Sequence, residues 1–222
     1  HGAPGFDPTG GQQGGEWRVE KQRLSWDVLD AFAAAAQEAG VPATEDFNTG
    51  NNEGVGYFEV NQRRGVRWNA TKAFLRPAMK RPNLTVRTGL QTTRLLLGNG
   101  VDAPLHAHGI EVVPSGGGEP QALHCRREVV LCAGAIGTPQ ILQLSGVGPV
   151  KVLQAAGITP RLDHPGVGEN LQDHLQIRAV FGVEGVRTLN TMANSLWGKA
   201  MIGLEYLLLR SGPMSMAPSQ LG

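Results

Sequence analysis

EVVLCAGAIGTPQILQLSGVG, residues Glu128–Gly148, is the stretch whose reading decides the fold. It opens with a short apolar run, Val129-Val130-Leu131-Cys132, which reads as a buried strand. Ala133-Gly134-Ala135 then turns the chain into a helix. Thr138 is suited to cap that helix, and Pro139 to its first turn, where a missing N–H costs no intrahelical bond. Ile141, Leu142 and Leu144 give the helix an apolar surface, and Ser145-Gly146 is a stop signal. A strand, a small-residue turn and a capped helix form a place where backbone N–H groups can meet an anionic cofactor.

Outward from this stretch, residues 83–132 read as β-rich. Leu84–Thr88, Thr92–Leu97, Ile110–Val113 and Ala122–Leu131 carry the Thr, Val and Leu content of strands. Gly98-Asn99-Gly100 and Ser115-Gly116-Gly117-Gly118 supply the turns. On the other side, Pro149 starts a short helix that Ala156-Gly157 ends. Ile158–Leu162 would follow as a parallel strand reached through that crossover. Gln176–Val183 alternates as a strand does, and Ser195–Arg210 reads as a helix with a core-facing apolar stripe. Towards the N-terminus, residues 1–16 read as a loop or frayed end. Ser25 is a candidate N-cap for a helix that stops at Gly40, with Val28, Leu29, Phe32 and Ala36 turned inward. Residues 42–56 have turn chemistry, Tyr57–Val60 is a candidate strand, and Arg67–Leu75 a short helix ended by Arg76-Pro77.

Composition bounds the function. The 222 residues are 41% hydrophobic and 18% charged, enough for one large domain or two small ones with a core. A net charge of +1 without a long basic run argues against a nucleic-acid surface. No apolar run is long enough to span a membrane. Cys125 and Cys132 are seven apart, so in one strand they would face opposite sides and could not bridge. With no leader-like segment at His1–Gly5, the reading is a reduced, cytoplasmic protein, with association at a membrane surface left open. Both ends of the sequence read as cuts through a longer chain.

Several constellations bear on chemistry. Gly54-Val55-Gly56 and Gly166-Val167-Gly168 each begin a Gly-x-Gly-x-x-Gly phosphate turn, but Glu59 and Leu171 stand at the third position. Ser145 lacks the Gly-x-Ser-x-Gly setting of a nucleophile and reads as structural. His106, His108 and His124 lack the paired spacing of a zinc site and read as surface or structural, so no metal is expected. Asp173-His174 sets an acid beside an imidazole, and His174 is the one candidate for a direct catalytic part.

The run Ala133–Pro149 closely resembles a signature of the glucose–methanol–choline (GMC) flavin oxidoreductases. Three further blocks resemble that family in the right order. They are RWNA and AFLRPA within Arg67–Ala78, RPNLTVRTG at Arg81–Gly89, and GVGENLQDHL at Gly166–Leu175. Together they cover most of residues 47–222, and the nearest branch resembles bacterial choline-dehydrogenase-like alcohol dehydrogenases.

The resemblance implies an α/β to α+β fold: part of a Rossmann-like FAD-binding domain with part of a sheet-plus-helices substrate domain. It implies that residues 1–80 are a substrate-side or connecting segment, 81–165 the FAD-binding portion and 166–222 the substrate-binding portion. The implied activity is oxidation of a primary alcohol to an aldehyde by hydride transfer to FAD, with an electron acceptor left undefined. Thr92 falls where the family contacts the adenosine half of FAD through backbone. Ala133 and Gly134 fall where its chain comes close to FAD, and Asn170 to His174 near the flavin and substrate side. The family's phosphate turn and its C-terminal catalytic histidine have no counterpart here, so the resemblance implies an internal portion that is inactive alone. Choline-type members carry a Glu where Gln176 stands, which points to a neutral alcohol, with choline as the lesser possibility. A non-catalytic truncated flavin-fold module and a nicotinamide-dependent dehydrogenase are the rival readings.

Overall fold

The computed structural model describes residues 16–98 and 105–222. The expected N-terminal loop before Glu16 and the Asn99-Gly100 part of the expected turn lie outside the described residues. The chain forms two compact units. One comprises residues up to Thr85 together with Val180–Gly222; the other is Val86–Ala179.

In the first unit, α1 (Asp27–Glu38) begins one residue later than a Ser25 cap would give. Trp26 is the N-cap and its side chain makes no capping bond. Asp27 and Asp30 still place negative charge at the positive end of the helix dipole. The expected inward stripe is only partly covered: Phe32 is 64% exposed. Tyr57–Val60 contributes only isolated bridges, Tyr57 to Leu221 and Val60 to Glu20. Strands β1 (Gln62–Arg63) and β2 (Val66–Arg67) form a hairpin. Arg64 (φ 53°) and Gly65 (φ 71°) make its two-residue turn, both at positive φ, the conformation that matches the right-handed twist of the flanking strands. The expected Arg67–Leu75 helix is a π-helical turn, Thr71–Leu75, continuing into α2 (Arg76–Ala78). Pro77 does not end it, because proline is tolerated in the first turn of a helix.

The second unit holds the three-stranded antiparallel sheet β3 (Leu90–Leu97), β4 (Ala107–Pro114) and β5 (Gln121–His124), in the order β3-β4-β5. Register runs from Leu90↔Pro114 to Leu97↔Ala107, with irregularities between Thr92 and Arg94 and between Leu96 and Leu97. The pairing leaves Thr93 and then His108 as the extra residue, a compensating pair of bulges. Leu95 and Leu97 meet Ile141 and Val147 in the core of this unit. Expected strands at Leu84–Thr88 and beyond His124 are not formed. Val129–Cys132 has the alternation of a strand, with Val129 and Leu131 against the core and Val130 72% exposed. It lacks a ladder partner among the described residues, and a strand without one is only an extended segment.

Helix α3 (Gly134–Leu144) starts at Gly134, four residues before Thr138. Thr138 therefore does not stand ahead of the helix as its cap. Its hydroxyl reaches back from the second turn and accepts the Ala133 N–H at 3.1 Å. Pro139 lies inside the helix rather than in its first turn, so the Ala135 carbonyl loses its i+4 donor. The predicted stop holds: Ser145 is the C-cap and Gly146 follows at φ 83°. A Cβ at Gly146 would come within 2.7 Å of the Thr159 carbonyl oxygen.

Next come β6 (Val147–Gly148), α4 (Val150–Ala155) and β7 (Leu162–Asp163). β6 and β7 are parallel, so the crossover expected from sequence is present, with its second strand shorter and later than Ile158–Leu162. Leu153 of α4 is fully buried. Gln176–Val183 forms no strand; Ile177 and Phe181 are 92% and 80% exposed and no described segment pairs with them.

Back in the first unit, α5 (Leu189–Met192) is closed by a reciprocal Thr188–Thr191 capping box. α6 (Leu196–Leu209) is capped by the Ser195 hydroxyl, which accepts the Gly198 N–H at 2.9 Å. Arg210 ends it in the left-handed conformation. Only Ile202 of α6 is buried, and Leu207, Leu208 and Leu209 face outward rather than into a core.

Candidate functional site

The second unit contains a groove of ≈ 810 Å³ between the first turns of α3 and the loop 166–172. Ala135, Ile136 and Leu142 line one wall; Val167, Asn170 and Leu171 line the other. Apolar side chains alternate with the polar groups Gln140, Gln143, Asn170 and Gln172 and the carboxylate of Glu169, a mixed lining open to a small organic ligand.

The small-residue turn leads into the groove: Ala135 lines it, and Ala133 and Gly134 just before it do not. Ala133 is the N-cap of α3 and is exposed. Gly134 has φ 81°, a conformation that glycine adopts without strain, and a Cβ there would meet nothing within 4 Å. The first N–H groups of α3 after Ala133 have no intrahelical acceptor, as at any helix start. Ala133 spends its own N–H on Thr138.

Two side chains without a part in the sequence reading tie this unit together, Gln143 to the loop and Arg161 to the end of β3. Gln143 Nε2 donates to the Val167 carbonyl at 3.1 Å. Arg161 donates to the Leu97 and Gly98 carbonyls at 3.3 and 3.0 Å. Neither had a local signal, since the partners are 24 and more than 60 residues away in the chain. Asn170 is a non-glycine residue in the left-handed region, φ 56°, at the groove's rim.

Thr92 is half-buried on β3, paired with Val112 just before the first bulge. Its carbonyl accepts from Gln91 Nε2 at 3.3 Å. It does not line the groove. His174 is exposed, and its backbone N–H donates to Asp173 Oδ1 at 2.7 Å. The carboxylate thus closes a local turn rather than orienting the imidazole. His106, His108 and His124 sit in a row, with ring centroids 6.4 and 5.8 Å apart. Among the described residues no three His, Cys, Asp or Glu side chains are arranged to hold a metal ion.

A structural ion pair lies beside Thr92. Arg94 donates to both Glu111 oxygens, at 3.1 and 2.7 Å, and Thr93 Oγ1 donates at 2.8 Å. These bonds, Arg94 first, hold the Glu111 carboxyl below its usual range. In the first unit, burial and then the hydrogen bond to Asp30 raise the Tyr57 phenol.

Residues 15–176 match the model of the GMC oxidoreductases. The chain belongs to the GMC oxidoreductase family. An oxygen-dependent choline dehydrogenase of Photobacterium profundum is 43% identical over 83% of this chain and 31% of its own length. A second, of Brucella anthropi, is 37% identical over 92% of this chain and 36% of its own length. The chain thus spans about a third of the curated relatives it matches. Among solved structures, an FAD-dependent oxidoreductase from Chaetomium thermophilum superposes with TM-score 0.78 at 26% identity, covering 94% of this chain and 36% of that one. A fungal aryl-alcohol oxidase gives TM-score 0.81 at 26% identity, with 95% and 35% covered. The mixed α/β fold and the FAD expected from sequence are borne out.

The residues present fit that cofactor in part. The positive-φ glycine, the exposed small side chains beside it and the unfilled N–H groups of the GMC signature helix allow close backbone approach. No described turn has the Gly-x-Gly-x-x-Gly pattern that a pyrophosphate takes. No helix among the described residues is long and apolar enough to cross a membrane.

Proposed function

We propose that this chain is the middle portion of an FAD-dependent enzyme that oxidises a primary alcohol to an aldehyde. The observation that carries the reading is the groove along α3, where Ala135, Ile136 and Pro139 of the GMC signature and the loop bearing Asn170 line one cavity in one compact unit. In this reading residues 81–165 form the flavin side, and residues 1–80 and 166–222 the substrate side and its connections. Bound FAD supplies the hydride acceptor. Ala133 and Gly134 let backbone reach it, Thr92 contributes main-chain contact to the adenosine half, and Asn170 stands toward the flavin. His174 is a lesser candidate for handling the hydroxyl proton; its solvent exposure leaves it free to turn toward a substrate. The chain alone does not turn over, because the phosphate turn and the family's C-terminal histidine are contributed by sequence outside it. In this reading the enzyme works in the cytoplasm or at a membrane surface, its substrate is a small-molecule alcohol, and its electron acceptor is undefined.

Substrate charge is the finer point. Relatives are named choline dehydrogenases, and Gln176 stands here without the negative charge that would attract a quaternary ammonium. A neutral primary alcohol is therefore the preferred substrate. The gene expressed with its natural flanking sequence tests this. The purified protein is expected to be yellow with bound flavin, and a neutral primary alcohol to reduce it faster than choline does. A colourless, stable protein supports the non-catalytic reading instead, and binding of NAD without FAD supports the nicotinamide one.

A further inference from the structure

Among the described residues β3 is an edge strand of its sheet, with β4 as its one neighbour. An edge strand carries a row of N–H and C=O groups that must find other partners when buried. The Leu95 N–H is such a group, on a residue only 8% exposed. Ser145 Oγ accepts it at 2.8 Å. The same hydroxyl donates its proton to the Ile141 carbonyl, one turn back in α3, at 2.6 Å. Ser145 is itself only 6% exposed. The hydroxyl thus accepts from one element and donates to the other.

We infer that Ser145 is a positioning residue: it locks β3 to α3 and thereby sets the separation between Thr92 and the Ala133-Gly134 turn. The inference rests on the flavin reading above, in which those two places touch opposite parts of one cofactor. Thr92 is three residues from the anchored Leu95. The turn is at the other end of the eleven-residue α3, about 16 Å away along the helix axis. A helix transmits a shift at one end to the other, so the anchor governs both contacts without touching the cofactor.

The test compares Ser145→Ala, Ser145→Thr and Leu153→Ala in protein expressed with its natural flanks. Leu153 is fully buried in α4, outside the flavin-side groove. Ser145→Ala is expected to speed hydrogen exchange of the Leu95 amide and to weaken FAD binding, each by about tenfold, the factor one lost buried hydrogen bond corresponds to. Ser145→Thr keeps the hydroxyl, which can still bond the i−4 carbonyl, and should restore both. Leu153→Ala should lower the melting temperature while leaving FAD affinity near that of the unaltered protein. If Ser145→Ala does not fold, Ser145→Cys, with its weaker hydrogen-bonding sulfur, takes its place. Unchanged Leu95 exchange in Ser145→Ala, or a loss of FAD affinity no larger than that of Leu153→Ala, overturns the inference. An unaltered protein that takes up no FAD contradicts the flavin reading instead, and the Leu95 exchange rate then decides the anchoring by itself.

Discussion

At the scale of single residues, one hydroxyl shows how far local reading reaches. The sequence around Ser145 excludes a nucleophile and points to a helix stop, and the residue is indeed the C-cap of α3. Its bond to Leu95 spans 50 residues, so nothing near it in sequence could announce that partner. Ser145→Ala leaves a buried N–H unsatisfied and should cost about 1–3 kcal/mol, read as a lower denaturant midpoint at unchanged slope. Gly134 differs in kind. A Cβ there has open space, so Gly134→Ala pays only for a left-handed backbone, about 1–2 kcal/mol by the same measurement. Gln176→Glu adds no fold-related contact, since the residue is exposed. In the flavin enzyme it should lower KM for choline relative to a neutral alcohol, with little change in melting temperature.

Helices held by local bonds are readable, and so are β3, β4 and β5, whose strand composition coincides with a ladder; what sequence does not show is which strand-like segments go without a partner. α4 and α6 lie close to where their caps and apolar spacing put them. Val129–Cys132 and Gln176–Val183 have the composition of strands yet remain unpaired, because a strand exists only through its ladder. Thr138 before Pro139 has the sequence of a cap and first turn, yet a glycine at positive φ opens α3 earlier. Pro139→Ala restores a donor to the Ala135 carbonyl and should stabilise the fold by up to about 3 kcal/mol in a denaturant titration. The Arg94–Glu111 pair gives the β3–β4 ladder a pH signature. Glu111 titrates lower in the folded chain than in the unfolded one, mainly through Arg94. Its contribution is complete above the ordinary carboxylate pKa and is lost as pH falls through the lowered folded value. Arg94 is half exposed, so the effect is bounded at about 1 kcal/mol. Glu111→Gln should remove this part of the acid dependence of the denaturant midpoint.

On the scale of the whole molecule, the family was legible because four short blocks occur in order, and 15–176 falls within its model. The groove was not legible. It is built where α3 meets a loop more than twenty residues later, held by the Gln143–Val167 bond. The chain covers about a third of its curated relatives, and the apolar surface left open on α6 and on Leu175–Phe181 is large for so small a protein. Such surface is the counterpart of a much longer partner sequence in the proposed enzyme. The most direct test of the flavin reading is an anaerobic single turnover of the gene product expressed with its natural flanks. Adding a neutral primary alcohol should bleach the visible flavin absorption and yield one aldehyde per flavin reduced. Bound flavin that no alcohol bleaches, or a protein that carries no flavin, would contradict it.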